Sequence, residues 1–331
     1  MIVTEILDGI PVDDSVRTVR RNEVLLTDIP DPAPMNLWRD YPLLGAINLP
    51  VDHVPGKFMV PQGVFESDEI RLEYTRLMGR QPFYHRNADA DEIAYHVTGT
   101  RQVLTELGTV DMEPGDFVRI PVGVSHDNNG IDDVHILFYI PQDVKEVVNP
   151  CKTAEYRMPP YPGWEQKNSV EFITEHLGEV GSDHSVFYTD EKMLLDNAKS
   201  DPSKMYVVRA SGIEGTEWLY KSENIWIGST MFSRSDATTY VRHRQADEIQ
   251  IQTQGRRTLI SQRGCLELEP GDFIAIPKGC AFTNIANEKN EYITCILRHP
   301  AAAKKPFTKI ATQDAAERLA VFRGNSNGTR N

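Results

Sequence analysis

The chain repeats itself. Residues 90–128 read ADEIAYHVTGTRQVLTELGTVDMEPGDFVRIPVGVSHDN, and residues 246–284 read ADEIQIQTQGRRTLISQRGCLELEPGDFIAIPKGCAFTN. The two align without a gap at an offset of 156, with 16 identities in 39 positions. The block EPGDF recurs at Glu113–Phe117 and Glu269–Phe273, and Gly99, Arg101, Pro121 and Gly123 answer Gly255, Arg257, Pro277 and Gly279. Just upstream, His85-Arg86-Asn87 matches His243-Arg244-Gln245 after a two-residue difference in length. A self-match this long means two copies of one domain, which is also what 331 residues suggest.

Each copy has the pattern of a β domain. Ile70–Leu77, Glu92–Val97, Gln102–Leu107, Phe117–Ile120 and His135–Tyr139 are short runs rich in β-branched and aromatic residues, and turns such as Glu113-Pro114-Gly115-Asp116 separate them. Regular short strands of this kind predict an all-β chain built of small barrels or sandwiches. The expected division is an N-terminal arm at 1–40, barrel one at 41–148, a linker at 149–205, barrel two at 206–300 and a tail at 301–331. The linker opens on Pro159, Pro160 and Pro162 and then reads as partly helical, and the tail predicts one helix at Asp314–Phe322, closed by Gly324.

Composition narrows the function. The chain is 40% hydrophobic and 25% charged, with a mean hydropathy of −0.41, which describes a folded protein with a sizeable core. With 35 basic against 48 acidic residues, the net charge is −13, and an acidic surface repels phosphate backbones, so no nucleic-acid partner is expected. No run of about 18 apolar residues predicts a membrane span. Glu5 and Asp8 fall where a secretory leader needs a basic start and an apolar run. The four cysteines, Cys151, Cys265, Cys280 and Cys295, form no CxxC pair and read as reduced thiols of a cytoplasmic protein.

Barrel one carries a pattern with chemistry in it. Gly79 is followed by His85-Arg86-Asn87, Glu92 and Gly99, and later by Gly115, Pro121, Gly123 and His126. These spacings resemble the two motifs of the cupin superfamily. The resemblance implies two cupin (double-stranded β-helix, or jelly-roll) barrels, with one metal ion near a barrel mouth. Side chains two apart on a strand share a face, so His85 pairs with Asn87, and Glu92 with Ala94 and His96. His126 arrives from a distant strand. Two imidazoles and one carboxylate suit Fe(II), with Mn(II) and Ni(II) as competitors. Asp91 rivals Glu92 as the acid, but Glu92 aligns with Glu248, which makes Asp91 a solvated turn acid. Asn87 is left open between a metal ligand and a partner of one. His96 has inward parity and is a candidate catalytic acid or base. In barrel two Gln245 replaces Asn87 and Phe282 replaces His126, so that copy is expected to be structural. Arg101 and Arg257, present in both copies, are expected to be structural as well.

Within that superfamily, Tyr84-His85-Arg86-Asn87 with a following Glu is similar to the iron site of the homogentisate and hydroquinone ring-cleaving dioxygenases. This implies His85, Glu92 and His126 as iron ligands and O2-dependent opening of a hydroxylated aromatic ring; the alternatives are another metal-dependent cupin enzyme, such as a Mn(II) decarboxylase, an isomerase or a C–C bond hydrolase, or a non-catalytic binding protein of two cupin barrels. Phe83 and Tyr84 are then candidate substrate contacts, and Tyr95 borders the motif. The expected partners are a small aromatic substrate and O2. A homo-oligomer is expected, with a smaller partner subunit as a further possibility.

Overall fold

A computed structural model describes residues 1–8, 16–27, 42–49, 59–158, 168–177 and 184–328. The expected all-β architecture is present: among the described residues the strands form three sheets, with short helices at Val24–Thr27, Glu191–Asp196 and Ala315–Gly328. None of these helices is long and apolar enough to cross a membrane. The proline run at 159–163 lies outside the described residues.

Two long strands organise barrel one. Asp91–Thr105 and His126–Ile140 pair antiparallel over almost their whole length, and Arg71–Arg80 flanks His126–Ile140. The first of these joins two runs that the sequence separates at Gly99. The chain does not turn there, because Gly99 takes φ +79° while the facing strand bulges past it. A Cβ on Gly99 would lie 2.3 Å from the carbonyl oxygen of Asp132, so only glycine fits. Gly255 repeats this in barrel two, at φ +76° and 2.3 Å from the Lys289 carbonyl oxygen. The core between the barrels is continuous, with Phe65, Leu72 and Phe138 of one half packed in the same cluster as Leu219, Ile227 and Phe273 of the other.

Strand pairing crosses the expected division, because each half lends its leading segment to the other. The N-terminal hairpin Ile2–Asp8/Arg17–Asn22 runs parallel to Thr239–His243 of barrel two. The supposed linker forms an equivalent hairpin, Asn168–Thr174/His184–Asp190, which runs parallel to Tyr84–Asn87 of barrel one. Gly45–Asn48, assigned above to barrel one, pairs with Asp272–Ile276 of barrel two, and Tyr206–Arg209, assigned to barrel two, pairs with Asp116–Ile120 of barrel one. The same ion pair pins each crossing: Lys152 Nζ is 2.9 Å from Asp116 Oδ2, and Lys309 Nζ is 2.7 Å from Asp272 Oδ2. The repeat therefore spans hairpin, barrel and closing strand. Sequence periodicity locates strands but not the sheet they join, which is why the arm and linker looked like connectors.

The C-terminal helix extends beyond its expected end at Gly324. That glycine faces open space, and an exposed helical glycine costs about 1 kcal/mol without ending the helix.

Candidate metal centre

Three strands bring the ligand candidates together. Tyr84–Asn87 presents His85, Asp91–Thr105 presents Glu92, and His126–Ile140 begins at His126, which stands directly opposite His85. One donor atom from each of His85, Glu92 and His126 lies within 4.8 Å of the other two, and no other such group occurs among the described residues. The two imidazoles meet edge to face with centroids 5.1 Å apart, and His126 Nε2 is 3.4 Å from Glu92 Oε2. His126 Nδ1 lies 3.2 Å from the Val124 carbonyl, which can only accept. Nδ1 therefore carries a proton, and Nε2 is the nitrogen that faces Glu92.

Electrostatics suit a cation. Burial, followed by the neighbouring His126, pushes His85 down to about 3, so it is neutral at ordinary pH. Burial alone would raise Glu92, but His126, His85 and Arg101 outweigh it and hold this carboxyl well below the usual range. Two imidazoles and an ionised carboxylate, clustered at a cavity, are what a divalent metal requires. The donor set fits one.

Asn87 supports the cluster. It is buried, its Nδ2 donates to Glu92 Oε2 at 3.2 Å, and its Oδ1 accepts from His176 Nε2 at 2.8 Å. Both ends of its amide are engaged by the residues that frame the site. Asp91 is a buried structural acid rather than a solvated one: Oδ1 accepts from the Val122 amide at 2.7 Å, and Oδ2 accepts from Arg119 at 3.1 Å. Asp247 repeats the first bond with the Lys278 amide at 3.0 Å.

The three side chains open on a cavity of about 440 Å3. Phe83 lines it, with Phe172 tilted against it at 4.6 Å between centroids. Tyr84 does not line it. This ring is fully buried on the other face of its short strand, and its hydroxyl donates to Glu191 Oε1 at 2.9 Å. His96 is also absent from the cavity wall. It is fully buried, with Nδ1 3.2 Å from Asp133 Oδ1 and Nε2 3.0 Å from the Gly99 carbonyl. Tyr95 packs on Phe117 in the shared core.

Part of the wall comes from the second half, which no sequence motif marked. Phe172, Thr174, Glu175 and His176 all line the cavity. Thr174 Oγ1 is 2.5 Å from His85 Nε2, and His176 stacks on Tyr139 at 3.6 Å with 7° between planes. Burial, opposed by Glu92, brings His176 down to about 4. Glu73 on the same cavity is raised by burial, which Arg71 partly offsets. The shared sequence signal of the two hairpins is short, a Glu with two apolar residues after it: Glu5-Ile6-Leu7 and Glu171-Phe172-Ile173.

The structure also corrects the alignment of the two motifs. Arg86 Nε donates to Glu171 at 2.8 Å and its Nη1 donates to the Gly123 carbonyl, while Arg242 does the same with Glu5 at 2.6 Å and the Gly279 carbonyl. Arg242 is thus the counterpart of Arg86, the offset of 156 holds across both motifs, and there is no length difference between them. Val241 occupies the seat of His85, His243 that of Asn87, and Phe282 that of His126. Two ligands of three are gone from barrel two, and His243 Nε2 closes on Glu248 Oε2 at 2.8 Å. Arg101 and Arg257 are both buried and bond equivalent asparagines, Asn128 and Asn284, in keeping with structural roles. The four cysteines form no disulfide, and only Cys151 is exposed. A larger groove, about 580 Å3, runs outside barrel two, but its charges pair with one another, as in Lys309–Glu269 and Arg318–Glu267.

Fold and site together define a two-barrel β protein with, among the described residues, a single two-histidine, one-carboxylate cluster. No family model matches the chain, and no curated protein matches it. Among solved structures it is similar to a Cupin 2 conserved barrel domain protein from Leptotrichia buccalis, at 9% identity over 74% of this chain and 92% of that one, with a TM-score of 0.45. It is also similar to a mutant of Bacillus subtilis oxalate decarboxylase, at 13% identity over 90% of each chain and a TM-score of 0.45. AerE from Microcystis aeruginosa matches at 9% identity over 73% of this chain and 99% of that one, with a TM-score of 0.43.

Proposed function

We propose that this chain is a mononuclear metal-dependent enzyme of the cupin kind, and that it uses Fe(II) and O2 to open a hydroxylated aromatic ring. The observation that carries the reading is the His85–Glu92–His126 cluster on the wall of a cavity. A facial set of three ligands leaves room for two further partners, and that is the donor pattern of non-haem Fe(II) oxygenases. When bound, the iron supplies the redox chemistry that joins O2 to the ring.

The chain's own residues hold and orient. Val124 and Asn87 fix His126 and Glu92 by hydrogen bonds. Phe83 and Phe172 offer aromatic faces to a flat substrate, and Leu137 and Tyr139 add apolar wall. Orientation of this kind lowers the barrier by removing freedom the reactants would otherwise lose at the transition state.

A second reading, redox-neutral decarboxylation or isomerisation with Mn(II), is favoured by Glu73. A carboxyl on the cavity wall, pushed by burial toward its protonated form, suits proton delivery to a carbon centre. One experiment separates the two. Protein purified without oxygen is analysed for metal, and its O2 uptake is followed with a panel of phenolic diols and hydroxybenzoates. Stoichiometric uptake with a conjugated product absorbing in the near ultraviolet supports ring opening. Equal turnover without oxygen, or turnover with Mn(II) alone, transfers the assignment to the second reading.

A further inference from the structure

His135 also lies on the cavity wall, and its ring is held from behind. Its Nδ1 is 2.9 Å from Asp133 Oδ2. A carboxylate there accepts, so the proton sits on Nδ1 and Nε2 keeps its lone pair. The other oxygen, Asp133 Oδ1, is 3.2 Å from His96 Nδ1, and His96 Nε2 reaches the Gly99 carbonyl at 3.0 Å. All three side chains are buried. Burial would raise Asp133, but His135, His96 and Arg101 hold it below the usual carboxylate range, so it is a fixed anion. Burial and Arg101 lower His135 against the opposing pull of Asp133, so its ring enters the reaction neutral.

The bulge builds this arrangement. Register shifts between Gly130 and Asp133, Asp132 takes φ +51°, and Asp133 turns beneath the sheet toward His96 and His135. Barrel two has the same seats with different chemistry. Gln252 stands opposite Tyr292 as His96 stands opposite His135, and Gln252 Nε2 donates to Asn290 Oδ1 at 3.0 Å where His96 meets Asp133. A glutamine, an asparagine and a tyrosine therefore satisfy the fold at these seats. Only the barrel with the metal ligands fills them with two histidines and an aspartate, so the fold does not require these residues to be ionisable.

We propose that His135 is the proton acceptor for substrate in this site and that Asp133 is its positioning residue. When a hydroxylated ring enters, its O–H bond breaks, the proton goes to His135 Nε2, and the electron pair stays on the substrate oxygen. The Asp133 carboxylate remains ionised beside the imidazolium. The inference rests on the proposed reading of the cavity as a site for hydroxylated rings.

The test uses 4-nitrocatechol, whose visible absorption reports ionisation of its hydroxyls, bound without oxygen to the full-length iron-loaded protein. The pH midpoint for appearance of the bound dianion is compared in wild type, His135→Gln and Asp133→Asn. The groups facing His135 are Asp133, His96 and Arg101, and none of them changes in His135→Gln. In that variant the midpoint is expected to rise by at least one pH unit, a tenfold loss. Asp133→Asn, whose new side chain copies Asn290, should give a smaller rise. Nitrogen NMR of wild type should show His135 protonated at Nδ1, with that preference lost in Asp133→Asn. An equal midpoint in wild type and His135→Gln, or an Nε2-protonated ring in wild type, overturns the proposal. Metal content of the same samples reports on the site separately. Wild type that holds no iron removes the proposed function and this inference together, whereas an iron-loaded chain with unmoved midpoints removes His135 alone.

Discussion

His126 illustrates how much one side chain carries: one ring nitrogen donates to a carbonyl and the other is left to face Glu92. Replacing His85 or His126 with Ala should remove most of the bound metal, with a loss of several kcal/mol of affinity and a fold intact by circular dichroism. One metal per chain with normal turnover in either variant would exclude the assigned cluster. Asp91→Asn and Glu92→Gln should separate cleanly. The first loses its charge-assisted bonds to Val122 and Arg119 and should cost roughly 1–3 kcal/mol in denaturant melts while keeping metal; the second should keep stability and lose metal. Acid should destabilise the metal-free chain. His85 and His176 have folded values of about 3 and about 4, below the ordinary histidine value near 6.5. The unfolded chain therefore binds more protons between those values, and stability falls as pH drops through that window, by up to about 1.4 kcal/mol per pH unit for each histidine. A stability that is flat from pH 7 to pH 4 would contradict the burial of both rings. At this scale spacing and chemistry pointed to His85, Glu92 and His126, which the fold gathers within 4.8 Å of one another. The sequence misled for Tyr84, because a short strand turns alternate rings to opposite sides, and for His96, which is fully buried against Asp133 rather than set on the cavity wall.

The hairpin Asn168–Thr174/His184–Asp190 is the element that completes the site. It lays Phe172 against Phe83 and Thr174 against His85. Phe172→Ala should leave metal content unchanged and raise KM for an aromatic substrate at least several-fold, since an aromatic pair adds roughly 0.5–1.5 kcal/mol beyond its buried area. Unaltered KM would mean that the substrate does not touch this wall. Gly99→Ala should destabilise by more than 1 kcal/mol and disturb the bulge, because a Cβ there meets the Asp132 carbonyl at 2.3 Å and the backbone is left-handed. The repeat made Gly99 and Gly255 visible in the sequence. The hairpin stayed hidden because seven residues of mild alternation look alike in a connector and in a strand that docks on a distant neighbour.

Taken as one molecule, the chain is two interlocked halves. Hairpins, crossing strands and the Lys152–Asp116 and Lys309–Asp272 pairs tie each half to the other's barrel. Chain scission between residues 158 and 168 should therefore yield pieces that bind little metal alone and regain about one metal per pair when coexpressed, as read by elemental analysis. Native metal affinity in the isolated first piece would show that the exchanged wall is dispensable. The self-match in the sequence revealed two copies but not their embrace, since pairing partners more than 80 residues apart leave no local trace. The embrace also has a consequence in time. As the chain leaves the ribosome, His85, Glu92 and His126 emerge long before Phe172, Thr174 and the 206–209 strand. Until then the edge at Asp116–Ile120 has no neighbour from 206–209, and the cavity stands open along one side. A half-made chain holds all three cluster residues without a finished cavity, so the proposed chemistry waits until synthesis is well into the second copy.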